Sequence, residues 1–146
     1  MLADQLLPVP AAAGLWAHPM PVGRKALAGD EYTDALRRIC GRPPVLDIVH
    51  VGLGADGHTA SLFAGDPGST ETDRDVAWSG SHGRYRRLTM THPLLARSRR
   101  ITWLVTGTDK AVALRRLLEG AAAPSGRLRR HGDVVVADRA ADEGEG

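Results

Sequence analysis

The stretch from Val45 to Pro67, VLDIVHVGLGADGHTASLFAGDP, constrains the chain more than any other. Val45 to Val51 is rich in β-branched residues and apolar at most positions, the pattern of a strand covered on both faces, usually in a parallel sheet. Asp47 and His50 interrupt it. They must find partners or lie near an end, because an unpaired buried polar group costs about 1–3 kcal/mol. Gly52 and Gly54 then allow a sharp turn and leave no side chain to block a ligand. After them, Asp56-Gly57-His58-Thr59 sets polar groups where the strand is expected to hand over to a helix with His58 at its mouth. Ligands in open α/β sheets bind outside the carboxyl ends of the strands, so this turn is the expected place for chemistry.

The segments on either side supply helices and strands in alternation. Met1 to Leu7 reads as a short helix and Leu15-Trp16 as a short strand. Tyr32, Ala35, Leu36, Ile39 and Cys40 recur at helical spacing, with Asp30 as cap, Gly41 as stop, and Arg38 placed to pair with Asp34. Pro43-Pro44 ends that helix before the Val45 strand. Gly68 to Tyr85 reads as a long polar loop broken by a strand at Val76 to Trp78. Arg87 to Thr91 has strand character, Pro93 opens a helix, and Ile101 to Val105 is a further strand. A helix follows with Ala111, Leu114, Leu117 and Leu118 on its apolar face, Thr106 or Thr108 as cap and Gly120 as stop. Val134 to Val136 is the last strand, and the acidic end from Asp138 to Gly146 is expected to fray.

Strands alternating with helices indicate an α/β sheet with crossover helices, and no internal repeat is present. With 146 residues the chain forms at most a single domain spanning 1–146. Charged residues make up 25% and the net charge is only +2, a poor match to a nucleic-acid partner, so the arginine clusters are assigned to local roles. Cys40 is the only cysteine, which excludes an internal disulfide, a Cys-x-x-Cys redox pair and a thiolate zinc site. The N-terminal stretch has no basic segment ahead of an apolar core, and Asp4 and the prolines interrupt any hydrophobic run. A soluble, cytoplasmic chain with no membrane partner is expected. His18, His50, His82, His92 and His131 show no metal-ligand spacing, so no metal is expected.

The run Gly52-Leu53-Gly54-Ala55-Asp56-Gly57-His58-Thr59-Ala60-Ser61-Leu62-Phe63, followed by Gly65 and Pro67, resembles the signature of the 6-phosphogluconolactonase family. The related deaminases acting on glucosamine 6-phosphate share the Gly-x-Asp-Gly-His core but usually lack the Thr-Ala-Ser-Leu-Phe tail. Arg87-Leu88-Thr89-Met90-Thr91 is similar to the family's Arg-Ile-Thr-Leu-Thr element, although Ser81 to Tyr85 stands where the family usually has a pair of prolines. Thr106-Gly107-Thr108-Asp109-Lys110-Ala111 resembles its Thr-Gly-x-x-Lys-Ala motif. The resemblance implies a modified Rossmann-like three-layer fold with a mostly parallel sheet. The family's opening part, with a Ser-Gly-Gly phosphate loop and an Asp-Glu-Arg motif, has no counterpart before Met1. The chain is therefore expected to correspond to the C-terminal portion, with an exposed sheet edge prone to self-association.

What the resemblance implies for chemistry centres on His58. Opening a δ-lactone requires a base to take a proton from water and a donor for the departing ring oxygen, and one histidine serves both in turn. Outside this motif, His58 would read as an ordinary histidine at a helix start. Asp56 is placed either to orient the imidazole or to cap the helix. Gly54 and Gly57 leave room for substrate, and Arg87 and Lys110 are the candidates for the phosphate of a sugar-phosphate lactone. Each of those charges, taken alone, reads as a solvated surface group. The activity the resemblance implies is hydrolysis of 6-phospho-D-glucono-1,5-lactone to 6-phosphogluconate in the oxidative pentose phosphate pathway, with no cofactor. The alternatives are a sugar-phosphate isomerase or deaminase of the same fold, or a truncated, catalytically weak or inactive sugar-phosphate-binding remnant.

Overall fold

The computed structural model describes residues 14, 16–23, 27–82, 84–121 and 124–144; the helix expected at 1–7 lies outside them. In chain order the elements are α1 (Ala28–Cys40), β1 (Ile48–Gly52), α2 (Pro67–Thr70), β2 (Val76–His82), β3 (Tyr85–Met90), α3 (His92–Ala96), β4 (Arg100–Val105), a 3-10 turn (Thr108–Lys110), α4 (Ala111–Leu118), β5 (Val134–Ala137) and α5 (Arg139–Glu143). They form two sheets: a parallel one ordered β1-β4-β5 and an antiparallel hairpin of β2 and β3.

The parallel sheet carries the main core. Val49 faces Ile101 and Val51 faces Trp103 in register, and Val135 pairs with Trp103 on the other side. Ala113, Leu114 and Leu117 of α4 lie over this face, together with Leu95, Leu128 and Ala141. Trp103 and Ile101 are fully buried, and burying each such side chain is worth about 1.5–3 kcal/mol. A second, smaller core joins α1 to the hairpin through Ala28, Leu36, Val76, Leu88 and Leu94. Leu46 and Met90 touch both clusters and join the two layers.

Several elements differ from the sequence expectation. β1 is covered on one face only: Val49 and Val51 are buried, whereas Ile48 retains 57% of its surface, and Leu104, Val134 and Val136 on the same side are also exposed. Its polar interruptions fit this arrangement, since His50 points to the open face and Asp47 pairs with Arg99 at 2.9 Å in solvent. Trp16 lies in irregular chain, 86% exposed, so it is not part of a strand. Asp30 stands inside the first turn of α1, where its charge suits the helix dipole, and does not cap it. Asp34 pairs with Arg37 at i+3, one residue closer than the expected Arg38. The long loop expected from Gly68 to Tyr85 instead takes in most of α2 and the whole of β2. No side chain caps α4 or the turn before it. Within the acidic end, Arg139 to Glu143 form α5, because Asp138 accepts a hydrogen bond from the Ala141 N–H at 2.8 Å and Ala141 is buried in the main core.

Candidate active site

β1 ends at Gly52, and the chain then closes into a tight turn in place of the expected helix. The Gly57 N–H donates to the Gly54 carbonyl at 2.9 Å, and the Gly54 N–H donates to the His58 carbonyl at 2.8 Å. Gly57 has φ +83°, a conformation that glycine adopts without a steric penalty. The buried Thr59 hydroxyl donates back to the Gly52 carbonyl at 2.7 Å, and Ala60 takes a left-handed φ of +51°. Together they stop a helix from starting after His58, so the first helical residue is Pro67. Asp56 accordingly caps no helix.

Asp56 instead holds His58. Its Oδ1 accepts from the His58 backbone N–H at 3.1 Å and lies 2.5 Å from Nδ1 of the ring. Partial burial pushes the Asp56 carboxyl up, but the hydrogen bonds from the His58 ring and backbone, with the charge of the ring, outweigh it and leave its pKa below the ordinary value. An ionised carboxylate can only accept, so Nδ1 carries the proton and Nε2 is left as the base. The His58 side chain is 31% exposed, within reach of a substrate from solvent.

Gly54 makes this pairing sterically feasible. A Cβ at Gly54 would collide with the His58 ring and come within 2.6 Å of Asp56 Oδ1. The absent side chain thus makes room for the imidazole, where the sequence suggested room for a ligand.

Two further ties fix the loop after His58 against the hairpin. The Ser61 N–H donates to Thr89 Oγ1 at 3.2 Å, and the Gly80 N–H donates to the Asp66 carboxylate at 2.8 Å. Phe63 is thereby set against the His58 ring, with centroids 4.3 Å apart, and the Arg87 guanidinium lies 6.0 Å from the Phe63 ring. The structure therefore brings Gly54, Asp56, Gly57, His58 and Arg87 into one neighbourhood.

Lys110 stands apart from that group. It ends the 3-10 turn after β4, and its Nζ pairs with Asp109 at 2.8 Å. Because β4 runs parallel to β1 in adjacent register, the turn bearing Lys110 and the turn bearing His58 leave the sheet at the same carboxyl edge. The Asp138 carboxylate, following β5, accepts from the Gly107 N–H at 3.1 Å and closes that edge. Among the described residues no group of three or more His, Cys, Asp or Glu could hold a metal ion, and no helix is long and apolar enough to cross a membrane.

Asp66, Phe63 and His82 had received no role from the sequence. His82 stacks on Phe63 at 3.5 Å between centroids and bonds Asp66 at 2.8 Å. One signal was available: His82 lies where Ser81 to Tyr85 departs from the family pattern.

A family model described as glucosamine-6-phosphate isomerases/6-phosphogluconolactonase matches residues 1–136. The 6-phosphogluconolactonase of Rattus norvegicus is 36% identical over 118 residues, covering 80% of this chain and 40% of that protein. The 6-phosphogluconolactonase of Synechocystis sp. is 39% identical over 103 residues, covering 66% and 42%. Among solved structures, 6-phosphogluconolactonase from Leishmania guyanensis superposes with a TM-score of 0.69 at 27% identity, covering 80% of this chain and 52% of that one. A monomeric glucosamine-6-phosphate deaminase superposes with a TM-score of 0.62 at 25% identity, covering 80% and 53%. The chain spans about 40% of the length of these curated relatives.

Proposed function

Because the chain belongs to the glucosamine-6-phosphate isomerase/6-phosphogluconolactonase family, we propose that it hydrolyses 6-phospho-D-glucono-1,5-lactone to 6-phosphogluconate with His58 as acid and base. The observation that carries this reading is the Asp56–His58 pair at the carboxyl end of a parallel strand, with Nδ1 engaged and Nε2 without a partner among the described residues. Nε2 takes a proton from water as its oxygen attacks the lactone carbonyl, forming a tetrahedral intermediate. Asp56 stabilises the resulting imidazolium and keeps the ring aimed. As the intermediate collapses, the bond from the carbonyl carbon to the ring oxygen breaks and Nε2 returns its proton to that oxygen. The product is an open-chain acid, and no external oxidant or reductant enters.

Arg87 and Lys110 supply positive charge for the substrate phosphate, Lys110 by exchanging its Asp109 partner for the dianion. The same reading places the reaction in the oxidative pentose phosphate pathway and the chain in the cytoplasm. The lactonase is favoured over the deaminase by the Thr59 to Phe63 tail and by the relatives named 6-phosphogluconolactonase.

The test is lactone hydrolysis by purified protein, with spontaneous hydrolysis subtracted. His58→Ala is expected to lower the rate by about 10²–10⁴-fold with little change in affinity for 6-phosphogluconate, since general acid–base catalysis acts in the transition state. Equal rates for the two proteins would remove His58 from the mechanism.

A further inference from the structure

Phe63 is held between two imidazoles. The His58 ring lies 4.3 Å from it with a 31° tilt, and the His82 ring lies 3.5 Å from it with a 26° tilt. Two rings so close and so nearly parallel to a third would overlap on one face, so they occupy opposite faces. Each imidazole is also bound to an aspartate, His58 to Asp56 and His82 to Asp66.

The second pair is the more buried. The Asp66 side chain is only 4% exposed and already accepts from the backbone N–H groups of Gly68 at 2.9 Å and Gly80 at 2.8 Å. As an ionised acceptor it takes the Nε2 proton of His82 at 2.8 Å. Nδ1 of His82 has no partner among the described residues, and the side chain is 35% exposed. In the hairpin His82 is paired with Tyr85, and Arg87, two residues on, shares that face by the period of the strand. His82 and Arg87 therefore border the same Phe63 ring from one side of the hairpin.

We infer that His82 is a second ligand-contacting residue of this site, its Nδ1 and the Arg87 guanidinium together taking the phosphate of the substrate. Protonated at Nδ1, the imidazole is a second cation beside Arg87, and Asp66 neutralises it from the far nitrogen. The carboxylates of Asp66 and Asp56 are already engaged, Asp66 by its three donors and Asp56 by His58, so neither is bound to Arg87 or to Nδ1 of His82. Tyr85 shares the face of the hairpin and contributes no charge. The ligand identity rests on the lactonase reading; the phosphate-binding chemistry rests on the hairpin geometry.

The experiment reads the ring nitrogens of His82 and His58 by ¹⁵N-resolved NMR on the whole chain during titration with inorganic phosphate, 6-phosphogluconate and gluconate. Both His82 nitrogens are expected to move to imidazolium positions with the two phosphate-bearing probes and to stay in place with gluconate. His82→Gln keeps a donor for Asp66 but removes the second nitrogen, and His82→Phe keeps the stack on Phe63. Each is expected to raise the Kd for 6-phosphogluconate by about tenfold or more, the range for a hydrogen bond to a charged group. If His58 responds to 6-phosphogluconate while His82 stays still, or if both variants bind like the wild type, His82 is only a tie between loop and hairpin and the inference falls while the lactonase reading stands. If neither histidine responds, both fall.

Discussion

Oδ1 of Asp56 lies 2.5 Å from Nδ1 of His58 and 3.1 Å from the backbone N–H of the same residue. One carboxylate thus shapes the turn and orients the ring that the turn presents. Because the two residues are only two apart, the pair forms from local chain geometry, without waiting for distant elements to dock.

Replacing that acceptor-only group should separate orientation from binding. Asp56→Asn can donate as well as accept, so the ring is no longer restricted to the tautomer with a free Nε2. Lactone hydrolysis is expected to fall by about 10²-fold or more in kcat with KM nearly unchanged. An unchanged kcat would show that the pair only shapes the turn.

Gly54→Ala and Gly52→Ala form a matched pair. At Gly54 the new methyl would occupy the space of the His58 ring, whereas at Gly52 it would meet only the Leu104 carbonyl at 3.9 Å, an ordinary contact. Activity is expected to drop with Gly54→Ala about as far as with Asp56→Asn and to stay within about twofold of wild type with Gly52→Ala. Circular dichroism checks that both variants fold. Equal effects of the two substitutions would contradict the steric account.

Arg87→Ala and Lys110→Ala should each weaken 6-phosphogluconate binding by about 1.5–3 kcal/mol, the range for hydrogen bonds to charged groups. Calorimetry with 6-phosphogluconate and gluconate checks this. A variant that loses both ligands in proportion would be positioning structure and not reading phosphate.

Asp66 links stability to pH. Burial pushes its carboxyl up, but hydrogen bonds from the Gly68 and Gly80 N–H groups and from His82 outweigh it, leaving the folded pKa below the ordinary carboxylate value. A lowered folded pKa means that this stabilisation is present above the unfolded pKa of about 4 and is lost as pH falls through the folded value. Asp66→Ala is expected to cost about 1–3 kcal/mol at pH 7, since two backbone donors lose their partner. The gap from wild type should shrink in urea denaturation as the pH is lowered toward 3. A gap independent of pH would show that the ionised form is not what stabilises the loop.

The open face of the parallel sheet gives the last prediction. Leu104 is 49% exposed there next to Val136, with Ile48 and Val134 elsewhere on the same face, and exposed apolar side chains gathered on one face favour self-association. Leu104→Lys is expected to change stability by less than about 0.5 kcal/mol while raising the monomer fraction in sedimentation velocity. An unchanged monomer fraction would rule this face out as a surface for self-association.

The local grammar of this chain is legible without coordinates. β-branched residues running into glycines specify β1 and its turn, helical spacing specifies α1 and α4, and Asp56 stands two residues from His58 because the chain places it there. What local pattern could not show is how the next turn resolves. The segment Thr59 to Phe63 allows a helix by composition, but the Thr59 hydroxyl bonds back to Gly52 and Ala60 turns left-handed. The partners of Phe63 are likewise set at long range: Asp66 and His82 are sixteen residues apart and meet only because the loop docks on the hairpin through Gly80 and Thr89. The bare face of the sheet was equally hidden, since an apolar strand reads the same whether one face or both are covered. Propensity and spacing act over a few residues and are written in the chain, whereas side-chain contacts between elements depend on how those elements pack. The sequence alone therefore determined the strand, the turn and the histidine within it. Only the tertiary structure decided what surrounds that histidine.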